Sequence, residues 1–242
     1  MRLIFIRHCE PDYSIDSLTQ KGFREAALLA DRVQHWDVEQ FYCSPLGRAR
    51  DTARPSLARL HREAIVYDWL QEFSYRMKDP TTGKIHVPWD YMPEYWTKQD
   101  AFYDHRGWMN HPVFLANPEI GPAYEEACRG IDTLLARYGY TREEEVYLAD
   151  PVLTADDDDK TIVFFCHLGI SLVLIGHLLG IAPIQLQQCF YLPPSSVTIL
   201  NAEKRLHDVA FFRVQVMGDT THLRIGGEPV SEMGAFSRVF SS

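Results

Sequence analysis

Two histidines and two arginines follow short apolar runs of the sequence. "LIFIRH" ends in Arg7 and His8, "IVFFCH" ends in His167, and Arg48 lies in "FYCSPLGRARDTA". Guanidinium groups match the oxygens of a phosphoryl group with paired, charge-assisted hydrogen bonds. Together with the two imidazoles, these arginines predict a pocket for a dianion such as a phosphoryl group.

The elements that must position these side chains are strands that end at one edge of a sheet. "RLIFI" and "KTIVFFCH" have the continuous apolar character of strands buried on both faces. In open α/β sheets the carboxyl ends of the strands form the ligand crevice, so His8 and His167 would meet there if their strands are neighbours. Arg7 would arrive at the same edge. Arg48 would lie in the first turns of a following helix, where free N–H groups favour an anion.

The order of elements predicts an α/β fold, a three-layer sandwich with a mostly parallel central sheet and helices on both faces. After the first strand, "SLTQKGFREAALLADRVQHW" has helical spacing, with Thr19 as a candidate N-cap. Its predicted apolar face contains Phe23, Ala26, Ala27, Ala30 and Val33. "VEQFYCS" follows as a strand, "PLGRARDTARPSLARL" as a helix begun by Pro45, and "AIVYDWL" as a third extended segment.

We predict one domain over residues 1–242, with an insertion rich in aromatic residues and proline at about 77–122. After the insertion come a helix ("AYEEACRGIDTLLARYG"), the helix "GISLVLIGHLLG" with a glycine stop, and the closing strands "SSVTIL" and "VAFFRVQVMG". The acidic runs "REEE" and "ADDDDK" are typical of solvated loops.

Two interpretations of the insertion stay open. Its aromatic residues either pad a satellite core or a subunit contact, which would allow a homodimer, or form a cap that excludes water from the pocket and selects an organic substrate. The residues concerned are Trp89, Trp96, Phe102, Tyr103 and Trp108.

Composition limits the classes of partner. The net charge of −9 opposes attraction to nucleic acid or to an anionic membrane surface. The longest apolar stretch, "GISLVLIGHLLGIA", is interrupted by His177 and is too short to span a membrane. Five cysteines without paired spacing do not form a disulfide framework, which favours a cytoplasmic protein with reduced thiols. Cys9, Cys43 and Cys166 lack the close spacing of zinc ligands, so no metal site is expected.

Four ordered motifs resemble those of the histidine phosphatase superfamily, also called phosphoglycerate mutase-like. They are "RHCEPD", "SPLGRARDTA", "LQE" and "FFCHLGISLVLIGHLLG", and the closing segments "LPPSSVTIL" and "FFRVQVMGDTTHL" are also similar. The sequence departs from the family pattern at several positions. Cys9 and Leu168 stand where the family has glycines after its two histidines, and Pro11 and Asp12 lie where the family has a threonine and an asparagine downstream of the first motif. A larger side chain at Cys9 would narrow or reshape the phosphate site.

The resemblance implies a metal-independent phosphomonoester hydrolase without a cofactor, of the histidine acid phosphatase type, acting on a small organic phosphate. His8 would accept the phosphoryl group as a phosphohistidine, while Arg7, Arg48 and His167 stabilise the charge on its oxygens. Glu72 would protonate the leaving oxygen, with Glu10 as a competing candidate.

Two alternative functions remain at this stage. One is a phosphotransferase of the phosphoglycerate mutase type, which shares the first half-reaction but passes the phosphoryl group to a second hydroxyl. The other is a non-catalytic module that binds phosphate or a phosphopeptide, which the changes at Cys9 and Leu168 motivate.

Overall fold

The centre of the fold is an eight-stranded sheet, seen in a computed structural model that describes residues 1–157, 159–206 and 208–240. The strands are β1 (Arg2–Arg7), β2 (Pro11–Asp12), β3 (Ser17–Leu18), β4 (Gln40–Cys43), β5 (Ala64–Val66), β6 (Met77–Lys78), β7 (Ile85–His86), β8 (Tyr140–Glu143), β9 (Val146–Ala149), β10 (Thr161–Cys166), β11 (Val197–Leu206) and β12 (Val209–Asp219). The strand order in the sheet is β5-β4-β10-β1-β11-β12-β9-β8, and two further strand pairs, β2-β3 and β6-β7, lie outside it.

Helices cover both faces of this sheet. In the described part of the chain they are α1 (Gln20–Val33), α2 (Gly47–Leu60), α3 (Pro93–Trp96), α4 (Pro112–Leu115), α5 (Ile120–Ala136), α6 (Leu168–Leu179), α7 (Pro183–Cys189) and α8 (Thr221–Ile225). Short 3-10 helices span Asp68–Leu70, Asp100–Tyr103 and Trp108–Asn110.

The predicted α/β architecture, a large central sheet with helices on both faces, is confirmed, but the sheet is mixed and not mostly parallel, since three of its seven described strand pairings are parallel. β5, β4, β10 and β1 are parallel neighbours, whereas β11, β12, β9 and β8 extend the sheet by antiparallel pairing. Parallel pairing is thus concentrated in the half of the sheet that contains the predicted strand ends. Alternate residues of β1 enter two different cores, with Leu3 and Phe5 on the side of α5 and α6, and Ile4 and Ile6 on the side of α1 and α2.

Helix α1 forms where the sequence predicts it, but its buried face is rotated about the helix axis relative to the predicted face. The Thr19 side chain accepts a hydrogen bond from the backbone N–H of Gly22 at 3.0 Å, as expected of an N-cap. Phe23 is 45% exposed and Ala27 is also exposed, so this part of the predicted face is wrong. The inward positions are Gly22, Glu25, Ala26, Leu29, Ala30 and Val33. The face turns because the helix approaches the Glu10 carbonyl too closely for anything larger than glycine at position 22.

Helix α2 begins at Gly47 and not at Pro45, because side chains hold the preceding turn extended. Leu46, the N-cap residue, has ψ 139°, and its N–H donates to the Ser44 hydroxyl at 3.2 Å. The Gly47 N–H donates to a carboxylate oxygen of Asp16 at 2.7 Å. This start places Arg48 in the first turn of α2.

The acidic runs are not loops throughout. "REEE" lies in the hairpin of β8 and β9, whose turn uses Glu144 with a left-handed φ of 49°. In "ADDDDK", Asp157 is 1% exposed and accepts hydrogen bonds from Tyr140 and from Lys204, while Asp158 lies outside the described residues. A buried carboxylate needs such partners, and the lysine that supplies one is distant in sequence.

The insertion at 77–122 contains only short elements, and it joins the main core. Phe102 and Trp108 are buried and pack with Phe114. Trp89 and Trp96 are half-buried, and Tyr103 is 54% exposed. One group of aromatic residues thus fills a core, and the other lies nearer the surface.

All five cysteines are free thiols, and Cys189 alone among them is exposed. Among the described residues, none of the helices combines the length and apolar character needed to cross a membrane.

Replacing Gly22 by alanine should destabilise the fold. A Cβ at this position would lie 2.2 Å from the Glu10 carbonyl oxygen, so the loop after β1 must move. We expect a loss of about 1–3 kcal/mol in the free energy of unfolding, measured by urea titration. Gly121→Ala is the matched control, because a Cβ there meets no atom within 4 Å. The control should be neutral or stabilising by up to about 1 kcal/mol. Equal effects of the two substitutions would contradict the tight contact.

Candidate active site

His8 and His167 lie side by side at the carboxyl ends of β1 and β10. The two strands pair in parallel with Arg7 opposite Cys166, and the His8 N–H donates to the Cys166 carbonyl at 2.9 Å. The imidazole centroids are 5.2 Å apart, and both side chains are almost fully buried. The sequence prediction that the two histidines meet at one sheet edge is therefore matched by the geometry.

One contact sets the proton position on His8. Its Nδ1 lies 2.7 Å from the carbonyl oxygen of Cys9, which can only accept, so Nδ1 carries the proton and Nε2 keeps its lone pair. Burial, with Arg7 and Arg48 nearby, lowers the pKa of His8 well below its ordinary value. His8 is thus a neutral imidazole with a nucleophilic nitrogen.

His167 caps α6 and contacts the serine that follows β4. Its Nε2 lies 2.7 Å from the Ser44 hydroxyl, and its Nδ1 is buried without a partner among the described residues. Burial first, and then His8, Arg48 and Arg7, lower the pKa of His167 well below its ordinary value. Ser44 contacts a residue 123 positions later in the chain, so the sequence around Ser44 gives no sign that it belongs to the site.

Arg7 and Arg48 both contribute positive charge to the pocket. Arg7 donates to the backbone carbonyls of Leu192 and Met233. Arg48 forms an ion pair with Asp16, whose backbone is left-handed at φ 47°. Both arginines are at least nine-tenths buried, and the charge of each acts on His8 and on His167.

Three nitrogens of this group lack hydrogen-bond partners in the described part of the chain. They are Nε of Arg7, Nε of Arg48 and Nδ1 of His167, all of them buried. An unpaired buried polar group costs about 1–3 kcal/mol. Such a concentration of positive charge and unpaired nitrogens suits an anion with several oxygens.

Glu72 closes the group from the segment after the 3-10 helix Asp68–Leu70. Its Oε1 accepts from the N–H of Phe73 at 2.8 Å and from the N–H of Ile170 at 3.1 Å. Burial raises the pKa of Glu72, although Arg7 and the backbone donors oppose the shift. A carboxyl of this kind can hold a proton closer to neutral pH than an exposed one.

Glu10, the competing carboxylate, forms its contacts with α1 and the C-terminal segment. It accepts from the Thr19 hydroxyl at 2.9 Å and from the Ser231 hydroxyl at 2.7 Å, and Lys21 lies 3.9 Å away. These contacts tie Glu10 to the start of α1 and to the C-terminal segment. Of the two candidates, Glu72 is the one whose surroundings include Arg7, Arg48 and the start of α6.

The two departures from glycine are accommodated in different ways. Cys9 is fully buried, its N–H donates to the Thr52 hydroxyl at 2.9 Å, and burial raises the pKa of its thiol to about 12. Leu168 is 7% exposed and belongs to the main core. Cys9 is therefore a packing residue whose thiol is poorly ionised, which does not favour reactivity.

His222 and Ser195 support the site from behind the backbone of His8. The Ser195 N–H donates to the His8 carbonyl at 3.1 Å, and its hydroxyl lies 2.7 Å from Nε2 of His222. Ser195 has a left-handed φ of 67°, so its backbone depends on these contacts. Through Ser195, His222 thereby positions the backbone of His8, the candidate nucleophile. The two histidines are 214 residues apart, so no local motif predicts this connection.

Comparison with known families matches the part of the chain that contains the first three of the four motifs. Residues 3–110 match the family model described as the histidine phosphatase superfamily, branch 1. A probable phosphatase of Schizosaccharomyces pombe is 34% identical over 85 residues, which are 31% of this chain. The matched region spans only 41% of that protein's length.

Solved structures share the fold over most of the chain. A mycobacterial glucosyl-3-phosphoglycerate phosphatase has a TM-score of 0.59 at 18% identity, covering 90% of this chain and 98% of that one. An Entamoeba histolytica phosphoserine phosphatase variant with phosphoserine has a TM-score of 0.55 at 20% identity, covering 92% and 98%. The α-ribazole phosphatase of Shigella flexneri has 0.55 at 18% identity, covering 91% and 97%. At these identities the likeness establishes the fold.

The buried His222 should make stability depend on pH. Burial lowers the pKa of His222 from 6.5 to about 4, so between these values the unfolded chain binds a proton that the folded protein does not. The free energy of unfolding therefore falls as pH falls, by up to about 1.4 kcal/mol per pH unit for this group.

His222→Gln, which retains an amide donor for Ser195, should remove this component. The stability difference between the protein and this variant should then narrow as pH falls from 6.5 towards 4, as followed by urea unfolding at several pH values. A difference that stays constant with pH would show that His222 titrates alike in both states.

Proposed function

This chain belongs to the histidine phosphatase superfamily, and from that premise we propose that it is a metal-independent phosphomonoester hydrolase acting through a phosphohistidine. The observation that supports the proposal most is the state of His8. A neutral imidazole whose Nδ1–H is held by the Cys9 carbonyl presents the lone pair of Nε2 as a nucleophile. The relatives named as phosphatases support the same reaction class.

In the first step, the lone pair of His8 Nε2 forms a bond to phosphorus while the bond to the ester oxygen breaks. Arg7, Arg48 and His167 stabilise the charge on the three transferring oxygens, the electrostatic contribution that dominates phosphoryl transfer. The protonated Glu72 carboxyl gives its proton to the departing oxygen, which leaves as an alcohol. The raised pKa of Glu72 supports this role, because the proton must be present before the step.

In the second step, water attacks the phosphorus of the phosphohistidine. Glu72, now a carboxylate, takes the proton from water as the P–N bond breaks. Inorganic phosphate leaves, and His8 and Glu72 return to their starting states. No metal ion is required in this scheme, because the two guanidinium groups supply positive charge and the neutral His167 supplies a hydrogen-bond donor.

Replacing His8 should abolish turnover. We expect His8→Ala to lower kcat for p-nitrophenyl phosphate, measured with a chelator present, by about 10³-fold or more. His35→Ala is the matched control, because His35 is exposed on the surface just beyond α1. Alkaline quenching during turnover should trap phosphate on the native protein in an acid-labile linkage that His8→Ala lacks.

The other possible outcomes of this experiment would each contradict one part of the proposed function or favour an alternative function. Activity retained by His8→Ala would overturn the assignment of the nucleophile, and loss of activity in chelator would overturn metal independence. Transfer of the trapped phosphoryl group to an added hydroxyl acceptor in preference to water would favour the mutase-type function. Phosphate binding without any turnover would favour a binding module.

Replacing Glu72 by glutamine should slow hydrolysis most for esters whose leaving oxygen needs a proton. We expect kcat/KM for an alkyl phosphate, whose leaving oxygen needs a proton, to fall by about 10²–10⁴-fold. For p-nitrophenyl phosphate the loss should be much smaller, because nitrophenolate departs without a proton. Glu10→Gln provides the matched comparison and should affect both esters equally, since Glu10 is bonded to Thr19 and Ser231. A leaving-group dependence that appears in Glu10→Gln and not in Glu72→Gln would exchange their roles.

A further inference from the structure

A cavity of about 600 Å³ lies between the insertion, α7 and the C-terminal segment. We call it the aromatic cavity, because rings from all three regions border it, including Trp89, Trp96, Phe190 and Phe236. Pockets for small organic ligands usually measure about 300–1,000 Å³ and are mostly apolar. The aromatic cavity therefore has the size and lining of a site for a small organic group.

The aromatic cavity starts where the phosphate pocket ends. A Cβ built on Gly169 would lie 2.4 Å from the ring of Trp89 and 2.7 Å from Oε1 of Glu72, so ring and carboxylate meet over this glycine. Leu168, another wall residue, directly follows His167. On the far side, the Tyr191 ring lies 5.8 Å from the Arg7 guanidinium carbon. The cavity thus adjoins Glu72, His167 and Arg7.

The chemistry of the walls favours an uncharged occupant. The charged side chains that border the cavity are Asp90 and Arg238, which have opposite signs. The Phe236 side chain is 84% exposed, so an apolar ligand in the cavity would cover aromatic surface that now faces water. A carboxylate or sugar would gain no comparable burial of apolar surface.

Hydrogen bonds join the three walls of the cavity to one another. The Gln188 side chain of α7 donates to the Pro88 carbonyl of the insertion at 2.7 Å. The Tyr191 hydroxyl lies 3.1 Å from the carbonyl oxygens of both Ser231 and Met233, which ties the C-terminal segment to the region after α7. The cavity is therefore largely formed before a ligand enters, which lowers the entropic cost of binding.

We propose that the aromatic cavity binds the leaving group of the substrate, and that this group is an uncharged, apolar alcohol with a ring system. The inference rests on the proposed function, because Glu72 must face the leaving oxygen and Trp89 borders Glu72. When the phosphoryl group lies among Arg7, Arg48 and the two histidines, the ester oxygen points toward Glu72 and the organic group extends past Trp89. Small polar esters such as phosphoserine would leave the cavity unfilled.

The first test compares esters that differ mainly in apolar area. Phenyl phosphate and 2-naphthyl phosphate have similar leaving oxygens, and the second carries one more ring. We expect kcat/KM to be at least about tenfold higher for 2-naphthyl phosphate, with phosphoserine lower than either. Equal values for the two aryl esters, or a preference for phosphoserine, would overturn the proposal.

Variants locate the effect in the cavity. Trp96→Ala and Phe236→Ala should each remove most of the preference for 2-naphthyl over phenyl phosphate, because the second ring loses part of its apolar contact. Phe211→Ala is the matched control, since Phe211 is a partly exposed ring on β12 that borders a different surface pocket. A preference that survives both cavity variants would place the recognition elsewhere.

A binding measurement separates failure of this inference from failure of the proposed function. Calorimetry with the non-hydrolysable 2-naphthylmethyl phosphonate and with methyl phosphonate needs no turnover. Tighter binding of the naphthyl compound by about tenfold or more, lost in Trp96→Ala, would support the cavity even if no ester were hydrolysed. Equal affinities would overturn the inference while leaving hydrolysis of other esters possible.

Discussion

The parallel pairing of β1 with β10 is the constraint on which the rest of the site depends. Its register sets Arg7 opposite Cys166, and this brings His8 beside His167 as both strands leave the sheet. Because both strands are buried on two faces, a shift of one residue would exchange the two cores and would carry the histidines to the wrong faces. The register that packs the two cores is therefore the same register that places the two histidines side by side.

This arrangement concentrates positive charge in a protein whose net charge is −9. The guanidinium groups are held by protein oxygens, Arg48 by the carboxylate of Asp16 and Arg7 by backbone carbonyls. Both histidines are kept neutral by burial beside these cations. The same field that would attract a dianion thus also prevents His8 from being protonated, and a protonated His8 would have no lone pair with which to attack.

The sequence was sufficient for the site residues that follow strands and insufficient for those that reach the site from distant segments. Arg7, His8, Arg48 and His167 follow apolar runs, so the expectation that strand ends share one edge of the sheet predicted that they would meet if their strands were neighbours. Glu72 came from the resemblance, since "LQE" alone has no periodic signal. Ser44, Ser195 and Met233 contact the site through folding of the whole chain, and no spacing within a local window reports such contacts.

The same distinction explains the errors in the fold. Phe23 was placed inward because it is apolar, but the close approach of α1 to the Glu10 carbonyl requires glycine at position 22 and turns Phe23 outward. The acidic run "REEE" was taken for a loop because its charges suit water. It instead forms part of an edge hairpin, where one side of each strand can remain solvated.

The central place of β1 also affects how the chain must be made. Arg2 contacts Thr161, 159 residues later, and the other edge of β1 pairs with β11 at Val197–Asn201, later still. At ribosomal rates of about 5–20 residues per second, the interval between synthesis of β1 and of its first neighbour is on the order of ten to thirty seconds. During that time the apolar strand has two unpaired edges and is a ready target for chaperones or for aggregation. The nascent chain therefore acquires its candidate anion pocket only after β10 and β11 have been synthesised.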